Sequence, residues 1–288
     1  MNLGGWLDEA GRRLQAHGET AKLEAQVLLA AMLEKPRAWV MAHPEADLPP
    51  VKSTALEQAL VQLENGEPLP YLLGHWEFYG LDFLISPAVL IPRPETEQLV
   101  ELGLKRLEKV TASHSPKTPT LVADVGTGSG CIAISLAVQV PHLHTIAIDR
   151  SWAALEVARQ NSLRHHTEER IQLVASDLLT CIQPARIFDL VCANLPYIPS
   201  ERLPGLAVYG REPASALDGG KRGLQVLRRL IHQSRPHLAP GGVLLLEIDA
   251  TQGEAIRDLG RQTFPGARID IHPDLAGHDR VASIFLPE

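Results

Sequence analysis

The sequence predicts an α/β fold, a largely parallel sheet of seven strands covered by helices, preceded by a small helical segment and a β-hairpin connector. Three observations carry this. From Pro92 onward, apolar runs of strand length alternate with helix-period segments. The strand runs are apolar at nearly every position, as burial on both faces of a parallel sheet requires. Up to about Gly66 the apolar spacing is helical, with prolines as punctuation. The chain has 288 residues, and one core stops growing at roughly 250 to 300 residues, so two domains are expected. They are drawn as a helical domain over 1–72, a β-hairpin linker over 73–92 and an α/β domain over 93–288.

In chain order, the helical segment shows Leu23, Val27, Ala30 and Ala31, then Leu56, Leu60 and Leu63, at helical spacing, with breaks at Pro36, Pro44, Pro49 and Pro50. The stretch from Glu67 to Ile91 is rich in aromatic and β-branched residues around Gly74 and Gly80, which predicts a hairpin-like connector. A helix is expected over 95–109, a loop over 113–119, a strand over 120–125 and a helix over 131–140. Strands are expected over 144–148, 171–174, 190–193 and 243–248, mostly with helices between them. A final pair over 268–272 and 281–286 closes the sheet edge.

Hydrophobic residues make up 45% and charged residues 21%, as in an ordinary globular protein. The first segment mixes charges among its apolar residues, which argues against a signal peptide or an anchor, and no later run is long enough to span a bilayer. Cys131, Cys181 and Cys192 are an odd number without C-x-x-C spacing and read as buried thiols in a reducing cytoplasm. The twelve histidines are scattered, with no spacing that builds a metal site. No metal is expected. The net charge of -7 disfavours a naked nucleic acid as substrate, because such binding relies on clustered cations that neutralise phosphates.

The sequence LVADVGTGSGCIAISLA runs a strand through Gly126, Thr127, Gly128, Ser129 and Gly130 into a helix, an arrangement that lets backbone approach a ligand closely. The next strand ends in Asp149, roughly 20 residues beyond the turn, where a carboxylate can accept hydrogen bonds from both ribose hydroxyls of a nucleoside. Alternatively, Asp149 only caps the helix starting near Ser151. The G-x-G-x-G spacing differs from the G-x-G-x-x-G of dinucleotide sites and points to a methionine-type nucleoside rather than NAD. After the third strand, Asp177 is placed to bond an adenine amino group and Leu178 to cover the ring, unless both are simple loop residues.

The second signal is FDLVCANLPYIP, in which an apolar strand ends in Asn194, Leu195, Pro196 and Tyr197. Ligands of open α/β sheets collect at that edge. An amide or exocyclic amine has a delocalised lone pair, so a methyl-transfer enzyme must orient it toward the methyl donor. The Asn194 side-chain oxygen and the Leu195 carbonyl can each accept one N–H, Pro196 removes a competing donor, and Tyr197 offers a face for the planar group. The alternative is an Asx turn with Tyr197 in the core.

With LIPRPETE at Leu90 to Glu97, DVGTGSG at Asp124 to Gly130, NLPYI at Asn194 to Ile198, EPASALDGGKRGL at Glu212 to Leu224 and DLAGHDR near the end, the chain resembles the release factor glutamine methyltransferases. That branch of the class I S-adenosylmethionine-dependent enzymes has a Rossmann-like domain. The resemblance implies S-adenosylmethionine as cofactor, class I peptide chain release factors as protein substrate, and N5-methylation of the glutamine in their Gly-Gly-Gln motif. It implies that the helical domain helps to hold that partner. It also implies cofactor contacts from Gly126 to Gly130, Asp149, Leu178 and Asn194, and a catalytic and substrate-binding motif at Asn194 to Tyr197. Two positions depart from the family. Leu195 stands where proline is frequent, a form shared with ribosomal RNA adenine dimethyltransferases, and Leu178 replaces a frequent aromatic.

Arg93 and Glu95 either organise the pocket wall or cap the helix that begins there. Asp218, Gly219 and Gly220 either shape a loop over the site or form a plain turn. The competing functions are glutamine methylation of a ribosomal protein, adenine N6-methylation of nucleic acid, and a binding protein that has lost turnover.

Overall fold

Two units, Met1–His75 and Trp76–Glu288, make up the computed structural model, which describes residues 1–113 and 119–288. Residues 114–118, most of the expected 113–119 loop, lie outside the described residues. The first unit is helical: α1 (Leu3–Arg13), α2 (Ala21–Leu33), α3 (Arg37–Ala42), α4 (Pro50–Glu64) and α5 (Leu69–Leu73). The start of α1 is set by Asn2, whose side chain accepts the Gly5 N–H at 2.9 Å. Proline sets the next starts, since Pro36 precedes α3 and Pro50 opens α4, where a missing N–H costs nothing. Leu56, Leu60 and Leu63 are buried as their spacing requires. In α2 the buried residues are Ala21, Ala25, Leu28, Leu29 and Ala30, while Leu23 is 45% exposed. This helix is apolar almost all round, so periodicity alone does not choose its face.

In the connector, the hairpin is shorter than the 73–92 stretch. Leu69–Leu73 is helical and ends at Gly74 with φ +74°, a left-handed cap. Then β1 (His75–Phe78) and β2 (Leu81–Leu84) pair across Tyr79 and Gly80, both at positive φ, as a tight hairpin turn demands. Phe78 and Phe83 bury their rings edge to face, with centroids 6.1 Å apart.

The α/β part continues through α6 (Glu97–Ser113), β3 (Thr120–Val125), α7 (Cys131–Gln139), β4 (Leu143–Asp149), α8 (Trp152–Arg164), β5 (Ile171–Ala175) and β6 (Phe188–Ala193). It ends with α9 (Ala214–Leu217), α10 (Gln225–Ser234), β7 (Leu238–Glu247), α11 (Gly253–Thr263), β8 (Arg268–Pro273) and β9 (Asp279–Phe285). The seven-stranded sheet has the order β5-β4-β3-β6-β7-β9-β8. Its first five members are parallel, and β9 runs antiparallel to both β7 and β8. Every residue of β6 is buried, in keeping with a central strand covered on both faces.

The chain leaves β3 toward β4 and β5, then returns to place β6 on the other side of β3. That reversal puts the topological switch point at the carboxyl ends of β3 and β6, where open α/β sheets bind their ligands. Asp124 pairs with Cys192 in this register, so the glycine turn and Asn194 leave the sheet side by side. No described helix is long and apolar enough to cross a membrane.

One reading of the cysteines needs correction. Cys131 and Cys192 are buried, but Cys181 is exposed on the turn after β5, where Leu178 and Leu179 take the inward positions.

Candidate active site

At the switch point opens a cleft of about 390 Å³, within the roughly 300 to 1,000 Å³ usual for small-molecule sites. Gly126, Thr127, Gly128, Ser129, Asp149, Asp177, Leu178, Asn194, Leu195 and Pro196 all line it. Gly130 and Tyr197 are not lining residues.

The turn after β3 keeps Gly126, Gly128 and Gly130 at positive φ. A Cβ on Gly126 would meet the Leu195 side chain at 2.7 Å, and one on Gly130 would meet Ile134 at 2.9 Å, so these two let the turn pack. A Cβ on Gly128 would meet only the Gly126 carbonyl, at 4.0 Å. The space over Gly128 is therefore open to a ligand. Fully buried Asn161 of α8 braces the turn, donating to the Ser129 carbonyl at 2.9 Å and exchanging two hydrogen bonds with the Leu84 backbone.

Asp149 lines the cleft beside the turn. Its Oδ2 accepts the Gly128 N–H at 3.0 Å and its Oδ1 the Ser151 N–H at 2.9 Å, while Ser151 supplies the side-chain cap of α8. A carboxylate has about four acceptor positions, and these two donors occupy two of them. Leu178 is buried at φ +56°, a conformation that is rare for a leucine and is tolerated where surrounding structure imposes it. Asp177 is exposed and ion-paired with Arg229 at 2.5 Å.

Asp124, beneath the turn, is completely buried. Its Oδ2 accepts from the Thr127 hydroxyl at 2.6 Å and the Ala133 N–H at 3.2 Å. Burial pushes its carboxyl from 3.8 up to about 7, against the lowering effect of those two donors. A folded-state value above the unfolded one means that the group's contribution to stability is full below pH 4 and is lost as pH rises through about 7. Relative to the parent, Asp124→Asn is therefore expected to gain stability as pH rises from 5 to 8. Urea unfolding of both proteins at several pH values measures this; a pH-independent difference would contradict it.

The wall opposite the turn comes from LIPRPETE and EPASAL. Arg93 stands at the N-cap position but its side chain makes no cap; its guanidinium pairs with Glu212, whose side chain is 2% exposed and whose Oε2 accepts the Ile91 N–H at 3.1 Å. This ion pair ties together the segments that contribute Pro92 and Pro213 to Ala216 to the cleft. Glu95 is exposed and provides no cap.

At the end of β6, the Asn194 Nδ2 donates to Thr96 Oγ1 at 2.9 Å, and the Thr96 hydroxyl donates to Glu247 at 2.7 Å. Glu247 also accepts from the Tyr197 hydroxyl at 3.0 Å. Burial, then the charge of Glu247, holds the Tyr197 phenol well above its ordinary range. Asp218-Gly219-Gly220 lies directly over this loop: Gly219 N–H donates to the Ile198 carbonyl and Asp218 accepts from Ser200 at 2.6 Å. Gly223 is obligatory, since a Cβ there would fall 1.9 Å from the Tyr197 carbonyl oxygen.

Thr96, Asn161, Glu212 and Glu247 are the site-building residues that sequence reasoning did not single out by role. Glu247 left one signal, a lone acid closing the apolar run VLLLE. Among the described residues, no cluster of His, Cys, Asp and Glu is arranged to hold a metal ion. Burial pushes the Cys131 thiol, which lines the cleft, up to about 12, which leaves it inert as a nucleophile.

A glycine turn, a strand-end acid and an asparagine loop at one switch point define a methyltransferase of the open α/β type, and the model of the Methyltransferase small domain matches residues 106–203. The PrmC N-terminal domain model matches residues 5–74. The release factor glutamine methyltransferase of Moorella thermoacetica is 43% identical over 284 residues, covering 97% of each chain. That of Koribacter versatilis is 37% identical, covering 98% of this chain and 97% of its own. The chain belongs to the release factor glutamine methyltransferase family. A solved methyltransferase from Pyrococcus furiosus, 18% identical with a TM-score of 0.52 over 81% of this chain and 100% of its own, shares the fold.

Proposed function

We propose that this protein transfers a methyl group from S-adenosylmethionine to N5 of the glutamine in the Gly-Gly-Gln motif of class I peptide chain release factors, in the cytoplasm. The observation that carries the reading is the juxtaposition of the open space over Gly128 and Asp149 with Asn194 in one cleft. Gly126 to Ser129, Asp149, Asp177 and Leu178 would hold the cofactor, with Gly130 packing the turn, and the cofactor supplies an electrophilic methyl group and departs as a neutral thioether. The cleft volume, the unobstructed Gly128 and the remaining acceptor positions of Asp149 fit a nucleoside of that size.

The chain's own residues then do the orienting. The Asn194 Oδ1 and the Leu195 carbonyl accept the two substrate N–H groups, turning the planar amide nitrogen toward the methyl. Pro196 keeps a competing N–H out of the loop, and Tyr197, tied to Glu247, stiffens it. The nitrogen releases one proton after it gains the methyl, so no strong base is required. Catalysis is orientation and exclusion of water. We also infer that the helical unit over 1–72 recognises the protein substrate, with the hairpin as its linker to the catalytic domain. The matching N-terminal domain model supports this assignment.

Mass spectrometry of a release factor incubated with the protein and S-adenosylmethionine tests the reading. One added methyl on the Gly-Gly-Gln glutamine is expected. An unmodified glutamine, with label instead in purified ribosomal RNA, DNA or a ribosomal protein, would move the substrate assignment to that molecule.

A further inference from the structure

The Asn194 side chain ends a series of hydrogen bonds whose direction is fixed from its buried end. Glu247, at the end of β7, is 1% exposed, and its two oxygens accept from Thr96 and Tyr197. Burial raises the Glu247 carboxyl above its ordinary range, against the lowering effect of the Thr96 and Tyr197 donors and of Arg280. As a carboxylate with a hydroxyl donor on each oxygen it accepts only, so the Thr96 hydroxyl proton is committed to Glu247 and the Thr96 oxygen faces its other neighbour as an acceptor. That neighbour is Asn194 Nδ2, at 2.9 Å. With one N–H of its NH2 anchored on Thr96, the Asn194 amide is held with its oxygen as the free acceptor, and Asn194 borders the cleft.

We propose that Thr96 and Glu247 are positioning residues that set the polarity of the Asn194 amide, holding its oxygen toward the cleft as an acceptor and excluding the flipped rotamer. The flipped amide would point its oxygen at the Thr96 lone pairs and offer a donor to the substrate's own N–H. Thr96 belongs to the turn at the start of α6 and Glu247 to the far side of β6, so the device links the segment before α6 to the middle of the sheet. It rests on the assignment of Asn194 to the substrate amide.

The test uses the parent protein and five variants, Asn194→Ala among them, with kcat, the dissociation constant for S-adenosylmethionine and thermal stability measured for each. Thr96→Val keeps the shape without the acceptor, and is expected to lower kcat about 10- to 30-fold with cofactor affinity within about twofold. Thr96→Ser restores the hydroxyl and is expected to stay within about threefold of the parent. Glu247→Gln must turn its NH2 toward one of two hydroxyls; it is expected to lower kcat like Thr96→Val, and it decides the matter should that variant not fold. Thr96→Val combined with Asn194→Ala is expected to be no slower than Asn194→Ala alone, because the relay acts only through Asn194. Additive losses in the double variant, or full kcat in Thr96→Val and Glu247→Gln while Asn194→Ala is impaired, would overturn the relay. Full kcat in Asn194→Ala would instead remove the assignment of Asn194 on which the relay rests.

Discussion

Asn194→Ala is expected to lower kcat about 100-fold, roughly 2.7 kcal/mol of transition-state stabilisation, while the dissociation constant for S-adenosylmethionine changes by less than about twofold. The size follows from what the side chain does. An amide nitrogen delocalises its lone pair, so the reactive geometry depends on acceptors that hold both N–H groups. Removing one of them leaves a single hydrogen bond about which the amide swings. A weak tether costs orientation, which acts on the chemical step, rather than cofactor binding, which the proposed function assigns to the glycine turn and Asp149. The Thr96 hydroxyl, buried but lining the cleft, also loses its donor in this variant, and the truncated side chain leaves room for a water in its place. Single-turnover kinetics at saturating cofactor and release factor separate the chemical step from binding. An unchanged rate would mean that Asn194 is only the end of a strand.

The parts of this site that were legible in the sequence are those written in consecutive residues. The glycine turn, the acid that closes β4 and the Asn194 to Tyr197 loop each declare themselves because a strand's apolar run stops and a residue with a particular backbone or acceptor capacity follows. Seven strands and their order of appearance were legible for the same reason. What was not legible depends on partners far apart in the chain. Thr96 meets Glu247 across 151 residues and Asn194 across 98, and neither spacing has a periodicity. Arg93 and Glu95 could be singled out, yet only the fold shows that one of them is bound to a buried Glu212 and the other faces solvent. The helical spacing of α2 was legible but its inward face was not, because an almost wholly apolar helix lacks the polar stripe that orients it. Cys181 was misjudged because its apolar neighbours occupy the interior and leave the thiol on the outside of a turn.

Asp149→Ala carries the largest expected effect on the other half of the reaction: about a 100-fold or greater weakening of S-adenosylmethionine binding, with kcat at saturating cofactor within about threefold. Each hydrogen bond from a ribose hydroxyl to a carboxylate is worth roughly 1.5 to 3 kcal/mol when it is desolvated, and Asp149 has room for two. Its loss also frees the Gly128 and Ser151 N–H groups, which now hold the carboxylate in place. Asp149→Asn distinguishes the two jobs of this side chain. With one oxygen on each N–H donor, an asparagine must aim its NH2 at one of them, so it is expected to recover little affinity. If Asp149 served only to cap α8 and close the turn, both variants would melt at lower temperature and still bind the cofactor as tightly as the parent once folded. Isothermal titration below the melting temperature of each variant reads the difference. Affinity lost without a matching loss of structure assigns the carboxylate to the ribose; affinity retained assigns it to the turn alone, and the case for a nucleoside in this cleft would then rest on the space over Gly128.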